Sequence, residues 1–331
     1  LELFDIHLDE LTNALPGVPD IGGNLFAKLN YKQRRKGFTF TCDANVDKLT
    51  YDGNSIGDER IEFSYSPKRD ELHEIKCRIS HNNTEIANVK SDYRRGDFNG
   101  NISLTRLPLD ITQAFIDKEG VLIDGYLNSK IEFNGTLDNM KSYGYLNFDS
   151  TYVYSPMLGA MLHFAEDIIM IGNNNINLQK YHIYDKMNTP FVIDGTVEIN
   201  NLLNPKLNLR LNASNYEILN TRQEPGKMVY GKIYVDLRSA LRGTLDNIGM
   251  MGTLTLLNSS NFAYILPETG FTSSKDMDGL VEFVNFNDTT AIQQEQPKID
   301  LGNIKANLNV IIQQGAKMSI DFILGKFFGK V

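Results

Sequence analysis

Apolar and polar residues alternate one by one along this chain, in run after run. Phe38, Phe40, Cys42, Ala44 and Val46 alternate with Thr39, Thr41, Asp43 and Asn45. Leu207, Leu209 and Leu211 alternate with Asn208 and Arg210, and Ile233, Val235 and Leu237 with Tyr234 and Asp236. Ile304, Ala306, Leu308 and Val310 repeat the scheme, as do Met318, Ile320 and Phe322. A side-chain period of two puts one set on each face of a strand. The chain is therefore expected to fold as a sheet with one apolar and one polar face.

Composition narrows the function classes. The chain has 331 residues and a net charge of −8, without the basic excess of a nucleic-acid binder. About one residue in ten is Asn, a poor helix-interior and good turn residue, and Trp is absent. No apolar run approaches the roughly 20 residues of a membrane-spanning helix. Two cysteines rule out a disulfide-dense scaffold or a Cys₄ zinc site.

Turn signals punctuate the alternating runs at Asp52-Gly53-Asn54, Asn99-Gly100-Asn101, Asn134-Gly135 and Asn173-Asn174-Asn175. Helix is expected only briefly, over Asp9–Leu15 and Leu109–Asp117, each leading into a strand. Gly135-Thr136-Leu137-Asp138-Asn139 recurs as Gly243-Thr244-Leu245-Asp246-Asn247. In both copies a Gly follows, Gly144 and Gly252, read as opening the next strand. Repeated hairpin units imply stacking of neighbours in place of one central core. Pro267–Asp278 reads as a long loop and the polar stretch 287–298 as a mobile one.

Catalytic signatures are missing. The five histidines are scattered without metal-ligand spacing, and no nucleophile elbow, P-loop or dinucleotide fingerprint occurs. The expectation is a non-enzymatic chain without cofactor or metal. Cys42 and Cys77 both fall on apolar positions. They read either as two buried free thiols or as a cross-strand disulfide. The basic run Lys32 to Lys36 reads as a solvated hairpin turn.

The apolar face itself is the informative feature. Its expected lining is Phe38, Phe40, Leu207, Leu209, Leu211, Ile233, Val235, Leu237, Leu254, Leu256, Ile304, Leu308, Val310, Ile320 and Phe322. Such a face is buried by a second sheet, by closing a barrel, or it lines an open channel. An open lining would present far more apolar surface than a monomer normally shows.

The order of short motifs resembles the TamB and AsmA-like family. They are the run from Leu107 to Pro156, the Thr189–Gly195 segment, Met228 to Leu257, and Asp278 to Phe286. The resemblance is concentrated between about Arg106 and Phe286 and is weaker before residue 100. It implies a long, curved, antiparallel-rich β-sheet, folded like a taco around an apolar groove, with one or two short helices. It implies an anchor in the inner membrane of a diderm bacterium and a location in the periplasm. It further implies a part in outer-membrane protein assembly with an Omp85-type partner, and in moving phospholipid between membranes. Residues 1–105 are then the start of the groove, 106–286 its TamB-like part, 287–298 a loop, and 299–331 the last strands. Leu1 is not Met, so the chain is expected to be an internal piece of a longer protein whose anchor lies elsewhere. The expected cargo is phospholipid acyl chains or unfolded outer-membrane β-strands. The competing reading is an extracellular or surface β-sandwich that binds glycan or host.

Overall fold

A computed structural model describes residues 1–13, 19–34, 37–115, 121–224, 229–266 and 304–322. The loops expected at Pro267–Asp278 and 287–298 lie outside the described residues. Among these described residues nineteen strands form a single sheet. They are β1 (Glu2–His7), β2 (Ile21–Arg34), β3 (Gly37–Tyr51), β4 (Asn54–Pro67), β5 (His73–His81), β6 (Thr84–Arg94) and β7 (Asp97–Pro108). Next come β8 (Leu122–Thr136), β9 (Asn139–Ser155), β10 (Ala160–Phe164), β11 (Ile169–Gly172), β12 (Asn175–Tyr184) and β13 (Pro190–Glu198). The rest are β14 (Lys206–Thr221), β15 (Val229–Thr244), β16 (Asn247–Leu256), β17 (Asn261–Leu266), β18 (Ile304–Ile312) and β19 (Lys317–Phe322).

From β1 to β9 each strand pairs antiparallel with its successor. β10 and β11 share one rank, since both pair with β9 and with β12. The meander resumes through β15, on whose far edge β16 and β17 share a rank. β18 and β19 make the last rank and run parallel to β16 and β17. Nineteen strands thus occupy sixteen ranks, about 70 Å of sheet at roughly 4.8 Å per rank. The described strands do not divide into the two packed sheets of a sandwich.

Local chemistry explains the hairpins. Five tight turns, at Asp52-Gly53, Asp70-Glu71, Asn82-Asn83, Arg95-Gly96 and Asn173-Asn174, hold both central residues at positive φ. This primed geometry matches the twist of the flanking strands and favours Asn, Asp and Gly. Asn99-Gly100-Asn101 is not a turn, contrary to the sequence expectation, but lies inside β7. A Cβ on Gly100 would stand 2.7 Å from the Phe133 ring and 2.4 Å from the Lys90 carbonyl. Its glycine serves cross-strand packing, and the turn falls at Arg95-Gly96. Asn134-Gly135 likewise ends β8, with the turn at Leu137-Asp138.

The two Gly-Thr-Leu-Asp-Asn copies have one geometry. Gly135 and Gly243 sit at φ +121° and +127°, and in each a Cβ would stand 2.2 Å from the carbonyl of Asn139 or Asn247. Gly144 and Gly252 lie inside β9 and β16 and do not open them. Both let a neighbouring backbone approach within 2.0 and 2.2 Å of a would-be Cβ.

Among the described residues helix is confined to α1 (Leu8–Asn13) and a 3-10 turn at Asp110–Ala114. The second is shorter than expected, because the Thr112 hydroxyl bonds the Leu109 carbonyl at 2.6 Å and β-branched residues propagate helix poorly. The Phe115 ring lies tilted against Tyr51 with centroids 4.7 Å apart, tying this connection to β3.

Between β10 and β14 the sheet curls. β12 and β13 stop at Tyr184 and Pro190, while β14 runs on to Thr221. The Asn220 amide bonds the Leu158 carbonyl at 2.9 Å, bringing the β9–β10 turn onto β14. Gly159, at φ +59°, makes this approach feasible, since a Cβ there would stand 2.2 Å from the Asn220 carbonyl.

Candidate functional site

Residues paired across a ladder share a face, so register decides what the apolar set can do. One rung can be followed through the sheet. It passes Leu3, Ala27, Ala44, Ile61, Ile79, Ala87, Leu104, Ser129, Leu146 and Ile169. Two residues along β11 it resumes as Ile171, Ile176, Val197, Leu207, Gly243, Ile248 and Ile304. Ser129 is the polar residue on it, and its hydroxyl donates to the Tyr145 carbonyl at 2.8 Å. All fifteen expected lining residues occupy positions of this same face, those of β19 through β17 and β15.

The face is closed in one part. Ala213, Tyr216, Val235 and Leu237 form a buried cluster, against which Leu211, Ile233, Leu254 and Leu256 pack. Leu162 of β10 caps it, carried there by the junction at Gly159. A second cluster joins Ala165, Ile169 and Tyr181. Leu209, Val235 and Leu237 are 8%, 3% and 8% exposed. They are packed core, not the open lining the alternation alone suggests. Burial pushes the Tyr181 and Tyr216 phenols well above the ordinary tyrosine range, aided by Asp167 and Asp185 respectively. On β18, at the sheet edge, Val310 is 58% exposed.

From β1 to β8 the same face is open. Tyr31, Phe38 and Ile61 are 61%, 40% and 43% exposed, and Phe40, Phe63, Ile75 and Ile102 are half-buried. An aromatic row crosses six strands here, beside the turns that follow β4 and β6. Ring centroids run Tyr31–Phe38 5.3 Å, Phe38–Tyr65 4.9 Å and Tyr65–His73 5.6 Å. His73–Tyr93 follows at 5.8 Å and Tyr93–Phe98 at 4.8 Å. The Tyr65 hydroxyl and His73 Nδ1 are 2.7 Å apart. Alternation picked out Phe38 but not the row, which joins residues far apart in sequence. Its signature is an aromatic or His residue at the apolar position nearest each of these hairpins.

The opposite face is polar and charge-paired. Lys28 meets Glu2 at 2.9 Å, Arg60 grips Asp43 through Nε and Nη2 at 3.0 and 2.8 Å, and Arg78 meets Glu62 at 2.8 Å. These exposed pairs set register and solubility more than stability. Opposite charges across adjacent strands also resist a one-residue slip that would turn the apolar set outward.

Of the two cysteine readings, the structure has the free thiols and not the disulfide. Cys42 pairs with Phe63, and Phe63 with Cys77, so a whole strand separates the thiols. Two ranks set their Cα atoms about 10 Å apart, beyond the reach of a disulfide. Both are free. Burial pushes both thiols up, with Asp43 adding to Cys42 and Cys42 to Cys77. A raised thiol is a poor nucleophile at neutral pH.

Among the described residues no His, Cys, Asp and Glu side chains gather into a potential metal site, and no helix is long and apolar enough to cross a membrane. Arranged this way, the face can exclude water from apolar groups. Comparison with curated proteins and with solved structures yielded no match. A family model does match: the TamB C-terminal domain, over residues 179–323. That stretch holds the closed cluster and the last ranks, and it begins later and ends later than the motif resemblance. The match supports a TamB-like protein, with the similarity to the TamB C-terminal domain spanning residues 179–323.

Proposed function

We propose that the chain is a non-enzymatic scaffold whose open apolar face shelters phospholipid acyl chains during outer-membrane biogenesis. The observation that carries this is the rung that runs from β1 to β18 with Ser129 as its polar member, on a face half open over β1–β8. Each acyl CH₂ removed from water is worth about 0.8 kcal/mol. A wall of Leu, Ile, Val and Phe offers nearly the same energy at successive ranks. A chain can then shift from rank to rank without passing through water. The TamB domain supports a general role in outer-membrane biogenesis. Under this reading the chain works in the periplasm, as part of a longer protein held in the inner membrane, with an Omp85-type partner at the outer membrane.

A second cargo, unfolded strands of outer-membrane proteins, draws on the edge of the sheet. Among the described residues no strand pairs with the outer edge of β18, and Val310 and Ile312 there are 58% and 66% exposed. Unpaired apolar edges accept further strands.

Native mass spectrometry of the protein purified from cells tests the lipid reading. Bound phospholipid is expected, and Phe63→Arg should fold, lose that lipid and fail to complement a strain lacking the gene. A lipid-free wild-type protein, or a folded Phe63→Arg protein with full activity, contradicts it.

A further inference from the structure

We propose that the rim formed by the turns after β8, β13 and β15 docks on a lipid bilayer of low net charge, with the leucines at its tips entering the interface. This goes beyond the sheltering of acyl chains and does not depend on it, since the tips stand at the ends of the strands and not on the apolar face. Three observations carry it.

The first is what the repeated Gly-Thr-Leu-Asp-Asn hairpin exposes. Its leucine stands at the tip in both copies, Leu137 after β8 and Leu245 after β15, 78% and 47% exposed. The fifth residue of the strand that follows, Tyr143 in β9 and Met251 in β16, is exposed as well, on the otherwise polar face. Each copy thus sets an apolar tip ahead of a second large side chain. Between the copies, the loop joining β13 to β14 adds Leu202 and Leu203, 77% and 90% exposed. Four leucines on one rim, where turns ordinarily carry Gly, Asn, Asp or Ser, mark an interaction surface.

The second is that the peptide groups behind these tips are already paired. The Leu203 amide donates to Asn201 Oδ1 and the Leu245 amide to the Pro205 carbonyl, both at 3.1 Å. The Asp246 amide donates to Asn204 Oδ1 at 3.2 Å. Asn174 Nδ2 donates to the Met140 carbonyl at 2.6 Å and to Asn200 Oδ1 at 2.7 Å, while its own Oδ1 accepts from the Ser142 amide at 2.6 Å. Asparagines therefore lace the turns from β9 to β16 into one edge, and the leucines stand out from it. An apolar tip leaves water at little cost only where its backbone does not need water.

The third is charge and spacing, which together select the partner. Along this rim Asp138, Glu198 and Asp246 face Lys141, Lys206 and Arg242, with Lys305 alongside. So balanced a set recruits neither a strongly acidic nor a strongly basic partner. The Leu137 tip stands four ranks from the Leu202–Leu203 tip, roughly 20 Å, with the leucine-free Asn173-Asn174 turn between them. A protein partner packs against one contiguous core patch, whereas a fluid bilayer interface accepts separated apolar side chains.

Phosphatidylcholine vesicles, neutral overall, test this on the whole chain. The protein has no Trp, so Leu137→Trp, Leu203→Trp and, at the exposed Met187 of the opposite rim, Met187→Trp are single reporters. Vesicles should shift the emission of the first two to the blue and leave Met187→Trp unchanged. The triple substitution Leu202→Asn, Leu203→Asn and Leu245→Asn, all at exposed side chains, should fold like wild type and weaken vesicle binding by about tenfold or more. Raising NaCl from about 0.1 M to about 0.5 M should leave binding unchanged, because salt screens charge and not apolar insertion. Wild-type protein that does not bind, binding that salt abolishes, or a shift at Met187→Trp as large as at Leu203→Trp overturns the proposal. Binding that survives the leucine substitutions and is lost in Phe63→Arg also overturns it, and leaves the sheltering reading standing.

Discussion

Strands β1–β8 and strands β9–β17 use one alternating pattern and one register, yet they end in different physical states. In the first block the apolar face has polar ladders behind it and nothing described over most of its front. In the second, the β9–β10 turn folds onto β14, and Leu162 completes a cluster around Tyr216 and Val235. The difference does not lie in hydrophobicity. It lies in one close backbone approach at Gly159 and in two strands, β12 and β13, that stop short enough to permit it. An apolar stripe thus becomes core or binding surface according to what the chain lays across it.

Charge substitutions should separate the blocks most sharply. Val235→Asp buries an unpaired carboxylate and should cost roughly 3–5 kcal/mol, whereas Ile61→Asp on the open face should cost under about 1 kcal/mol. Denaturant titration of both variants checks this, and equal losses would erase the distinction. Gly159→Val should cost roughly 1–3 kcal/mol, through a positive φ and a clash with the Asn220 carbonyl. Faster hydrogen exchange at Asn220, with little change in β3–β7, is the expected signature.

A smaller effect is expected in alkali. Tyr181 and Tyr216 stay protonated in the folded chain far above the usual range, while unfolded tyrosines ionise near about pH 10. Below that pH both states carry the proton and the stabilisation is fully present. Above it the unfolded state gains by ionising, so stability falls as pH rises toward the folded-state values. Thermal melts of wild type against the Tyr181→Phe, Tyr216→Phe double variant should diverge only above about pH 10. The smallest effect concerns the thiols. Oxidised protein should alkylate at both Cys42 and Cys77, slowly, with no mass loss from a disulfide.

How much of this was legible beforehand depends on the range of the signal. Face membership was readable, because parity is local and Leu207, Leu209 and Leu211 declare their side by spacing alone. The repeated hairpin was readable too, since Gly135 and Gly243 carry their geometry with them. Burial was not, because Val235 and Phe40 look alike until Leu162 of β10 is seen to pack on the cluster around one and not on the other. Which of the two cysteine readings holds was unreadable for a related reason: spacing gives the face of Cys42 and Cys77 but not the strand between them. The aromatic row emerges only when six strands are set in register.

The account's central claim, an open face in β1–β8 that takes acyl chains beside a closed one in β9–β17, is tested most directly by photo-crosslinking in living cells. Benzoylphenylalanine is placed singly at Phe40, Phe63 and Ile102 in the open block and at Leu209, Val235 and Leu237 in the closed one. The adducts are identified by mass spectrometry. The account predicts phospholipid adducts from the first three positions and none from the last three. Equal lipid adducts from both sets, or adducts confined to the closed set, would contradict it.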